Sequence, residues 1–273
     1  MLTMPYFGTA KSNNIVGLQL YSLRDQLPID VKGVIAKVAA AGYGEVETFG
    51  YTKAKGFWGL GPKEFSDLLN SNGLKTPSGH YGMEQYFTNG STDELKNYIE
   101  AAHLTGQNYI VCPHLGEEYR KTPEDLKNIA IKLNNIGAIL KSEGLKLAYH
   151  NHNFEFLPVG NTNLYDVILN ETDPELVYLE MDLYWVVRAR RDPIEILNQH
   201  RGRFTMVHIK DMDKKTPALN TEIGAGTIDF KKIIPAAKKA GVMHFILEQE
   251  NYIHIDPYES ITRSATYMKN NLL

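Results

Sequence analysis

Residues 145–156 read LKLAYHNHNFEF and predict a β-strand that ends in a cluster of ionisable side chains. Side chains alternate between the two faces of a strand, so Ala148, His150 and His152 share one face. Two imidazoles followed by the Glu155 carboxylate are donor types of a metal site or an acid–base site. Histidines that only form structural hydrogen bonds are the alternative for this stretch. The remaining strands decide between the two.

Strand–helix units surround this stretch on both sides. A predicted strand is followed by a predicted helix eight times, and the intervals between Ile15 and His244 average roughly 33 residues. The strands are short and almost continuously apolar, as buried parallel strands are. These features predict an α/β protein with the (β/α)8 TIM-barrel fold. The rival doubly wound sheet would carry Gly-x-Gly-x-x-Gly after its first strand, where residues 22–25 read SLRD.

Helix boundaries are marked by proline, glycine and capping residues. Residues 91–94 (STDE) and 122–125 (TPED) both have the form of a capping sequence, which predicts a helix start at each. Pro235 falls inside the apolar pattern of the seventh helix, and we expect it to interrupt that helix. Gly224 and Gly226 suit a turn as well as a phosphate pocket.

The composition limits the partners and the compartment. The 273-residue chain has a formal net charge of -3 and is 43% hydrophobic, which is ordinary for a globular protein. No run of Lys or Arg suits a phosphate backbone and no stretch approaches ~18 apolar residues, so we expect neither nucleic acid nor a membrane as partner. The single cysteine, Cys112, excludes an intramolecular disulfide. We expect residues 1–14 to be a disordered leader and residues 15–273 to form one barrel domain, located in the cytoplasm, or in the periplasm if a signal was removed from the precursor.

Ionisable residues occur at the C-terminal ends of nearly all predicted strands, which is the end where TIM barrels have their active sites. Burying so many charges without partners would cost several kcal/mol each, and a bound metal ion would remove this conflict. Four successive strands offer a mixed nitrogen and oxygen ligand set that suits one divalent ion of Mn, Co, Fe or Zn. Each of these ligands also has a structural alternative, such as a hydrogen bond or an ion pair. The four predicted ligands are His150, Asp182, His208 and Glu248, and the further ionisable residues are Glu47, His80, His114, His152, Glu155, Lys210 and Glu250.

Five segments of the chain form a recognisable set, namely 17–24 (GLQLYSLR), 150–155 (HNHNFE), 207–211 (VHIKD), 222–229 (EIGAGTID) and 247–249 (LEQ). Together they resemble the xylose isomerase-like TIM barrel superfamily and, within it, the sugar phosphate isomerase/epimerase branch. The resemblance extends over nearly the whole chain. It implies a divalent metal held by Glu, Asp, His and Glu on the fifth to eighth strands, with both glutamates moving protons.

Three positions match this family pattern and two depart from it. Asp182, His208 and Glu248 match the last three ligands. His150 stands where the epimerases have the first glutamate, and a His-x-His at this place is more like inosose dehydratase. Trp185 stands where the epimerases tend to have a histidine that contacts the substrate. These two departures count against the assumption that this chain uses the two-glutamate mechanism of the epimerases.

The chemistry that we predict from these residues begins with proton removal next to a carbonyl group of a sugar. The ion would bind the carbonyl oxygen and an adjacent hydroxyl, acidify the neighbouring C–H group and stabilise the enediolate. Glu155 is the first candidate base and Glu248 the second, and Lys210 or His152 would donate a proton to oxygen. Trp58 has an alternative role in local packing. The predicted substrate-binding residues are His80, His114, Glu47, Trp185 and Trp58.

Several outcomes share this intermediate. Return of the proton to another carbon or face makes the protein an isomerase or epimerase of a sugar or keto-sugar, which is the main prediction. Loss of a β-substituent makes it a lyase or dehydratase acting on a keto-sugar or inosose. A metal-free, non-catalytic sugar-binding barrel is an explanation of another class. In each case the expected partner is a small-molecule carbohydrate, and a homo-oligomer is compatible with the sequence.

Overall fold

Eight parallel strands form a closed barrel in a computed structural model that describes residues 15–273. We number the strands 1 to 8 along the chain, and strand 1 pairs with both strand 2 and strand 8, which closes the barrel. The predicted (β/α)8 TIM barrel is therefore confirmed. The expectation for the leader, residues 1–14, lies outside the described residues. The barrel strands are Gly17–Gln19, Glu45–Phe49, Lys75–His80, Tyr109–Cys112, Lys146–His150, Val177–Asp182, Phe204–Ile209 and His244–Leu247.

Helices surround the barrel and cover its outer face. The helix that precedes strand 5 shows why they form where they do, because Thr122 and Asp125 make the predicted capping box and Pro123 occupies the first turn. No helix within residues 15–273 is long and apolar enough to cross a membrane. The α-helices are Val31–Ala40, Pro62–Ser71, Glu84–Asn89, Asp93–Thr105, Pro123–Ser142, Leu164–Glu171, Leu183–Arg188, Pro193–Gln199, Phe230–Ala240 and Pro257–Asn271.

Two local features of the helices differ from the sequence prediction. The helix near residues 91–94 begins at Asp93 without a capping box, because the backbone N–H of Glu94 donates instead to Gln85 Oε1, 3.1 Å away on the preceding short helix. Pro235 does not interrupt its helix, which runs from Phe230 to Ala240. Pro235 is exposed, and the carbonyl that it leaves without a backbone donor belongs to exposed Lys231, where water can hydrate it.

The loop after strand 7 is fastened by one buried carboxylate. Asp211 accepts hydrogen bonds from the backbone N–H groups of Gly224, Gly226 and Ile228 at 2.9, 3.0 and 3.1 Å. Gly224 has a φ of +88°, and a Cβ at Gly226 would collide with the Asp211 carboxylate. Both glycines are therefore turn residues that this loop requires.

The barrel interior is layered from one end to the other. At the N-terminal end of the strands, His244 Nδ1 lies 2.9 Å from Glu45 Oε2. Apolar side chains fill the middle of the barrel as a cluster of their own, separate from the larger core between strands and helices. The ionisable residues lie above this layer, at the C-terminal end. The buried residues of the middle cluster are Tyr109, Val111, Ala148, Met206 and Ile246.

Candidate metal centre and substrate cavity

The predicted metal ligands converge at the C-terminal ends of strands 5 to 8. Asp182 is the last residue of strand 6 and is paired in register with His208 on strand 7. Glu248 follows directly after strand 8, and ligand atoms of Asp182, His208 and Glu248 all lie within 4.8 Å of one another. His150 ends strand 5, and its Nε2 lies 3.9 Å from Asp182 Oδ2. The fold thus brings all four predicted ligands together.

The chemistry of this cluster fits a divalent ion. Asp182 is fully buried, and among residues 15–273 its Oδ2 receives no hydrogen bond of normal geometry, although the Lys210 ammonium group lies 3.1 Å away. Three carboxylates share this one ammonium group, so the buried cluster keeps negative charge that a bound cation would neutralise. Imidazole nitrogen and carboxylate oxygen together suit first-row ions such as Mn, Co, Fe or Zn. We therefore assign Asp182, His208, Glu248 and His150 as the residues that would hold one divalent ion.

A buried lysine neutralises part of the negative charge at this centre. Lys210 is only 1% exposed, and its Nζ lies 3.1 Å from Asp182 Oδ2, 2.6 Å from Glu248 Oε2 and 2.8 Å from Glu250 Oε1. Burial lowers the pKa of Lys210, but the three carboxylates outweigh it and hold that pKa well above the ordinary value. For Glu248 the effects have the opposite signs: burial raises its pKa, but Lys210 and His208 outweigh burial and hold that pKa well below its usual range. A cationic acid and an anionic base thus lie in contact.

Two further carboxylates lie beneath the predicted ligands. Glu47, predicted to bind substrate, is fully buried and lies with its Oε2 2.7 Å from His208 Nε2. The sequence prediction missed Glu180, whose Oε2 lies 3.0 Å from His150 Nδ1. Strand alternation could have found it, since Glu180 and Asp182 share the inward face of strand 6. His80 Nε2 lies 2.8 Å from Glu180 Oε2 and 3.1 Å from Glu47 Oε2.

A cavity of about 470 Å³ opens directly above the centre. Glu248 and Glu250 enter it from the end of strand 8, while the predicted residues His114, His152 and Trp185 line it from strands 4 to 6. Burial lowers the pKa of His152 to about 3, so this imidazole is neutral near pH 7. The whole lining consists of Tyr21, Phe49, Gly50, His80, Gly82, Pro113, His114, His150, His152, Trp185, Glu248 and Glu250.

Six predicted site residues are absent from the cavity lining, four of them because they lie buried beneath it and two, Trp58 and Glu155, because they are turned away. Trp58 packs behind Phe49, with 5.2 Å between their ring centroids, so Phe49 rather than Trp58 lines the cavity. Glu155, the first candidate base, is also turned away. Strand 5 ends at His150, and residues Phe154–Phe156 form a 3-10 turn that places the Glu155 carboxylate beside Tyr149 instead of in the cavity. Tyr149 Oη and the backbone N–H of His152 donate to Glu155 at 2.9 and 2.8 Å.

The buried position of Glu155 makes protein stability depend on pH. Burial raises its pKa from the ordinary 4.5 to about 8. A carboxyl group with a raised folded-state pKa contributes stability that is complete below pH 4.5 and is lost as pH rises towards 8. At ~1.4 kcal/mol per pH unit, the loss amounts to at most ~5 kcal/mol. We expect Glu155→Gln, which imitates the protonated form, to remove most of this dependence in urea unfolding measured at pH 5 and pH 8.

The matched control for this measurement is Glu143→Gln, which changes an exposed glutamate just before strand 5. The control should keep the pH dependence of the unaltered protein. If Glu155→Gln also keeps it, Glu155 is not the group that titrates.

Comparison with known proteins identifies the family of the chain. Residues 35–271 match the family described as xylose isomerase-like TIM barrel. The chain belongs to this family. Inosose dehydratase of Clostridium tetani is 34% identical over 181 residues, and the match covers 60% of each of the two chains. Inosose dehydratase of Clostridium perfringens is 29% identical over 182 residues, again with 60% of its length covered.

Solved structures of the family agree with the architecture over nearly the whole chain. A sugar phosphate isomerase/epimerase from Parabacteroides distasonis has a TM-score of 0.82 and 27% identity, and the match covers 97% of this chain and 98% of the other. The relatives are named as enzymes, in agreement with the prediction of an enzyme. The proteins that this chain resembles therefore include some named as dehydratases and one named as an isomerase/epimerase.

Proposed function

We propose that this protein is a divalent-metal-dependent enzyme that removes the proton next to a carbonyl group of a keto-sugar or inosose and then expels the β-substituent. The observation that carries the proposal is the 2.6 Å contact between Glu248, which lines the cavity, and Lys210, which is buried directly behind it. It provides a carboxylate base and a cationic acid side by side. When bound by Asp182, His208, Glu248 and His150, the ion would supply a positive charge that polarises the carbonyl oxygen.

Each remaining step has a residue of this chain to perform it. Glu248 takes the proton from the α-carbon, and the electron pair of that C–H bond passes to the carbonyl oxygen to give an enolate or enediolate. The carbonyl then re-forms, a carbon–carbon double bond appears and the bond to the β-oxygen breaks. Lys210 protonates the departing oxygen. Transfer of the proton from Glu248 to the neighbouring Lys210 then restores both groups.

The placement of the carboxylates favours loss of a substituent over epimerisation. Both carboxylates that line the cavity, Glu248 and Glu250, stand at the end of strand 8. The facing wall presents His150, His152 and Trp185 instead. Epimerisation that uses two carboxylates needs one on each face of the substrate, whereas syn elimination can use one base and one acid on the same side. Relatives named inosose dehydratase support the same outcome.

Isomerisation or epimerisation, the main prediction from the sequence, is the second candidate. It is favoured by the likeness to the Parabacteroides distasonis protein, which covers 98% of that chain. The two candidates share the proton removal and differ only in the fate of the enolate. Aromatic side chains of Tyr21, Phe49 and Trp185 in the cavity wall suit the apolar face of a sugar ring in either case.

Metal content and product analysis test the proposal together. We expect the purified protein to contain one equivalent of Mn, Co, Fe or Zn by elemental analysis, and the double variant His208→Ala/Glu248→Ala to contain none. The holoenzyme is then incubated with keto-glycosides and inososes in deuterated water. Elimination gives an unsaturated ketone with a new ultraviolet absorbance, while isomerisation or epimerisation gives a saturated sugar that carries deuterium.

Each result has a definite meaning. The unsaturated product supports the lyase, and the deuterated saturated product replaces it by the isomerase or epimerase. Absence of metal from the protein, even after Mn, Co, Fe or Zn is supplied, would overturn both and leave the non-catalytic sugar-binding barrel as the better account. Glu45→Gln serves as the control, because Glu45 lies at the opposite end of the barrel in a pair with His244.

A further inference from the structure

We propose that Glu180 and Glu47 are positioning residues that select which nitrogen of His150 and of His208 is presented to the ion. Neither carboxylate belongs to the four assigned ligands, and both are fully buried beneath them. Each contacts one nitrogen of an assigned imidazole ligand. This inference rests on the proposed metal dependence of the protein.

The first step concerns His150. Its Nδ1 lies 3.0 Å from Glu180 Oε2, and its Nε2 lies 3.9 Å from Asp182 Oδ2. An ionised carboxylate can only accept a hydrogen bond, so Nδ1 must carry the hydrogen in this contact. In neutral His150, therefore, the lone pair is on Nε2, which is the nitrogen nearer to Asp182.

The second step concerns His208, where the two nitrogens have exchanged roles. Its Nε2 lies 2.7 Å from Glu47 Oε2, and its Nδ1 lies 3.3 Å from Glu248 Oε2. Glu47 is itself fixed by Gln19, whose Nε2 donates to the same oxygen at 2.7 Å. When Nε2 carries the hydrogen, Nδ1 offers its lone pair beside the carboxylate of Glu248. Two electron-pair donors this close are compatible only with a cation or a proton between them.

The arrangement follows a general rule for metal sites. Imidazole ligands usually donate their second N–H to a carboxylate or carbonyl, which fixes the tautomer and the ring orientation, and removal of that partner typically weakens metal binding 10- to 100-fold. Here the rule applies twice with opposite nitrogens, because Glu180 holds Nδ1 of His150 and Glu47 holds Nε2 of His208. The two buried glutamates thereby orient both imidazoles towards the same region of the barrel mouth.

A different role for Glu180 is as a ligand of a second ion. Ligand atoms of His80, His150, Glu180 and His208 also lie within 4.8 Å of one another. The contacts favour the positioning role, because three imidazole nitrogens approach the single atom Glu180 Oε2 at 2.8, 3.0 and 3.3 Å. These are hydrogen-bond distances or close to them, and they direct the nitrogens at the carboxylate rather than at a shared point beside it.

Metal affinity of the purified protein is the direct test. The metal-free protein is titrated with Co²⁺ and with Zn²⁺ in competition with a chromogenic chelator, which gives both stoichiometry and Kd. We expect one equivalent in the unaltered protein and a Kd raised 10- to 100-fold in Glu180→Gln and in Glu47→Gln. Glu180→Asp keeps the charge but withdraws it from the imidazole, and should raise the Kd as well. Glu45→Gln is the matched control, since it removes a histidine-bound glutamate from the same face of strand 2 and should leave the Kd unchanged.

A double-mutant cycle separates positioning from a general structural effect. If Glu180 acts through His150, then Glu180→Gln should add little to the loss of affinity already caused by His150→Gln. Thermal unfolding of each metal-free variant shows whether it is folded, and Glu47→Gln tests the His208 half independently if Glu180→Gln does not fold.

Three outcomes would overturn the inference. An unchanged Kd in folded Glu180→Gln and Glu47→Gln would show that the contacts do not support the ion. Two equivalents in the unaltered protein, with one lost in Glu180→Gln, would make Glu180 a ligand of a second ion. No binding by the unaltered protein would overturn the proposed metal dependence itself, and this inference with it, whereas the first two outcomes leave the proposed function intact.

Discussion

Glu248→Gln should lower kcat by two to four orders of magnitude, the range expected when a general base is removed. The amide has nearly the same shape but cannot accept the substrate proton. Both contacts of Glu248 to His208 and Lys210 use Oε2, which leaves Oε1 as the atom that would receive the proton. The measurement is the initial rate of product formation at saturating metal, with the keto-sugar that the unaltered enzyme converts.

Metal binding must be separated from proton transfer in this variant, because Glu248 is also an assigned ligand. Elemental analysis of the assayed sample gives the fraction of loaded enzyme, and the rate is expressed per bound ion. A rate per bound ion within a factor of three of the unaltered enzyme would show that another group is the base. Glu45→Gln should retain both its ion and its rate.

Lys210→Met should destabilise the metal-free protein by about 3–5 kcal/mol, the cost of removing one partner from a buried charge cluster. The substitution leaves Asp182, Glu248 and Glu250 without the ammonium group that lies within 3.1 Å of each of them. Methionine fills a similar volume, so the loss of packing is small. Urea unfolding at pH 8 measures the change in the free energy of unfolding.

The same variant should show a pH dependence of known sign. Without Lys210, burial and mutual repulsion raise the folded-state pKa values of Asp182 and Glu248 above their unfolded values, and burial raises that of Asp182 already in the unaltered protein. Such groups contribute most stability at low pH and lose it as pH rises. The destabilisation should therefore be smaller at pH 5 than at pH 8. An equal loss at both values would show that lost packing, not lost charge, is responsible.

The barrel and the convergence of the ligands were accessible from the sequence because both depend on repeated, local signals. Short apolar strands and capped helices recur at a regular interval, and parallel strands of a barrel end at one mouth. Asp182, His208 and Glu248 could therefore be assigned to one site from their positions at strand ends. The distance limit of 4.8 Å among their ligand atoms agrees with that reasoning.

The parts that were missed depend on the geometry of single residues. Glu180 was overlooked because only the last inward residue of strand 6 was considered, although the strand places two carboxylates on its inward face. Glu155 was assigned to the site because it closely follows two histidines at the end of strand 5, and a 3-10 turn redirects its side chain. Trp58 was also assigned to the cavity incorrectly, because its backbone has a φ of +51° that no sequence pattern predicts.

The fastening of the loop after strand 7 also limits how this enzyme can change in evolution. Asp211 requires glycine at 226 and uses three backbone N–H groups at fixed spacing, so an inserted or deleted residue there would break several bonds at once. The cavity wall contributed by Tyr21 and Phe49 has no such restraint on its side chains. New substrate preferences should therefore arise by substitution on that wall, while the loop after strand 7 keeps its length among close relatives.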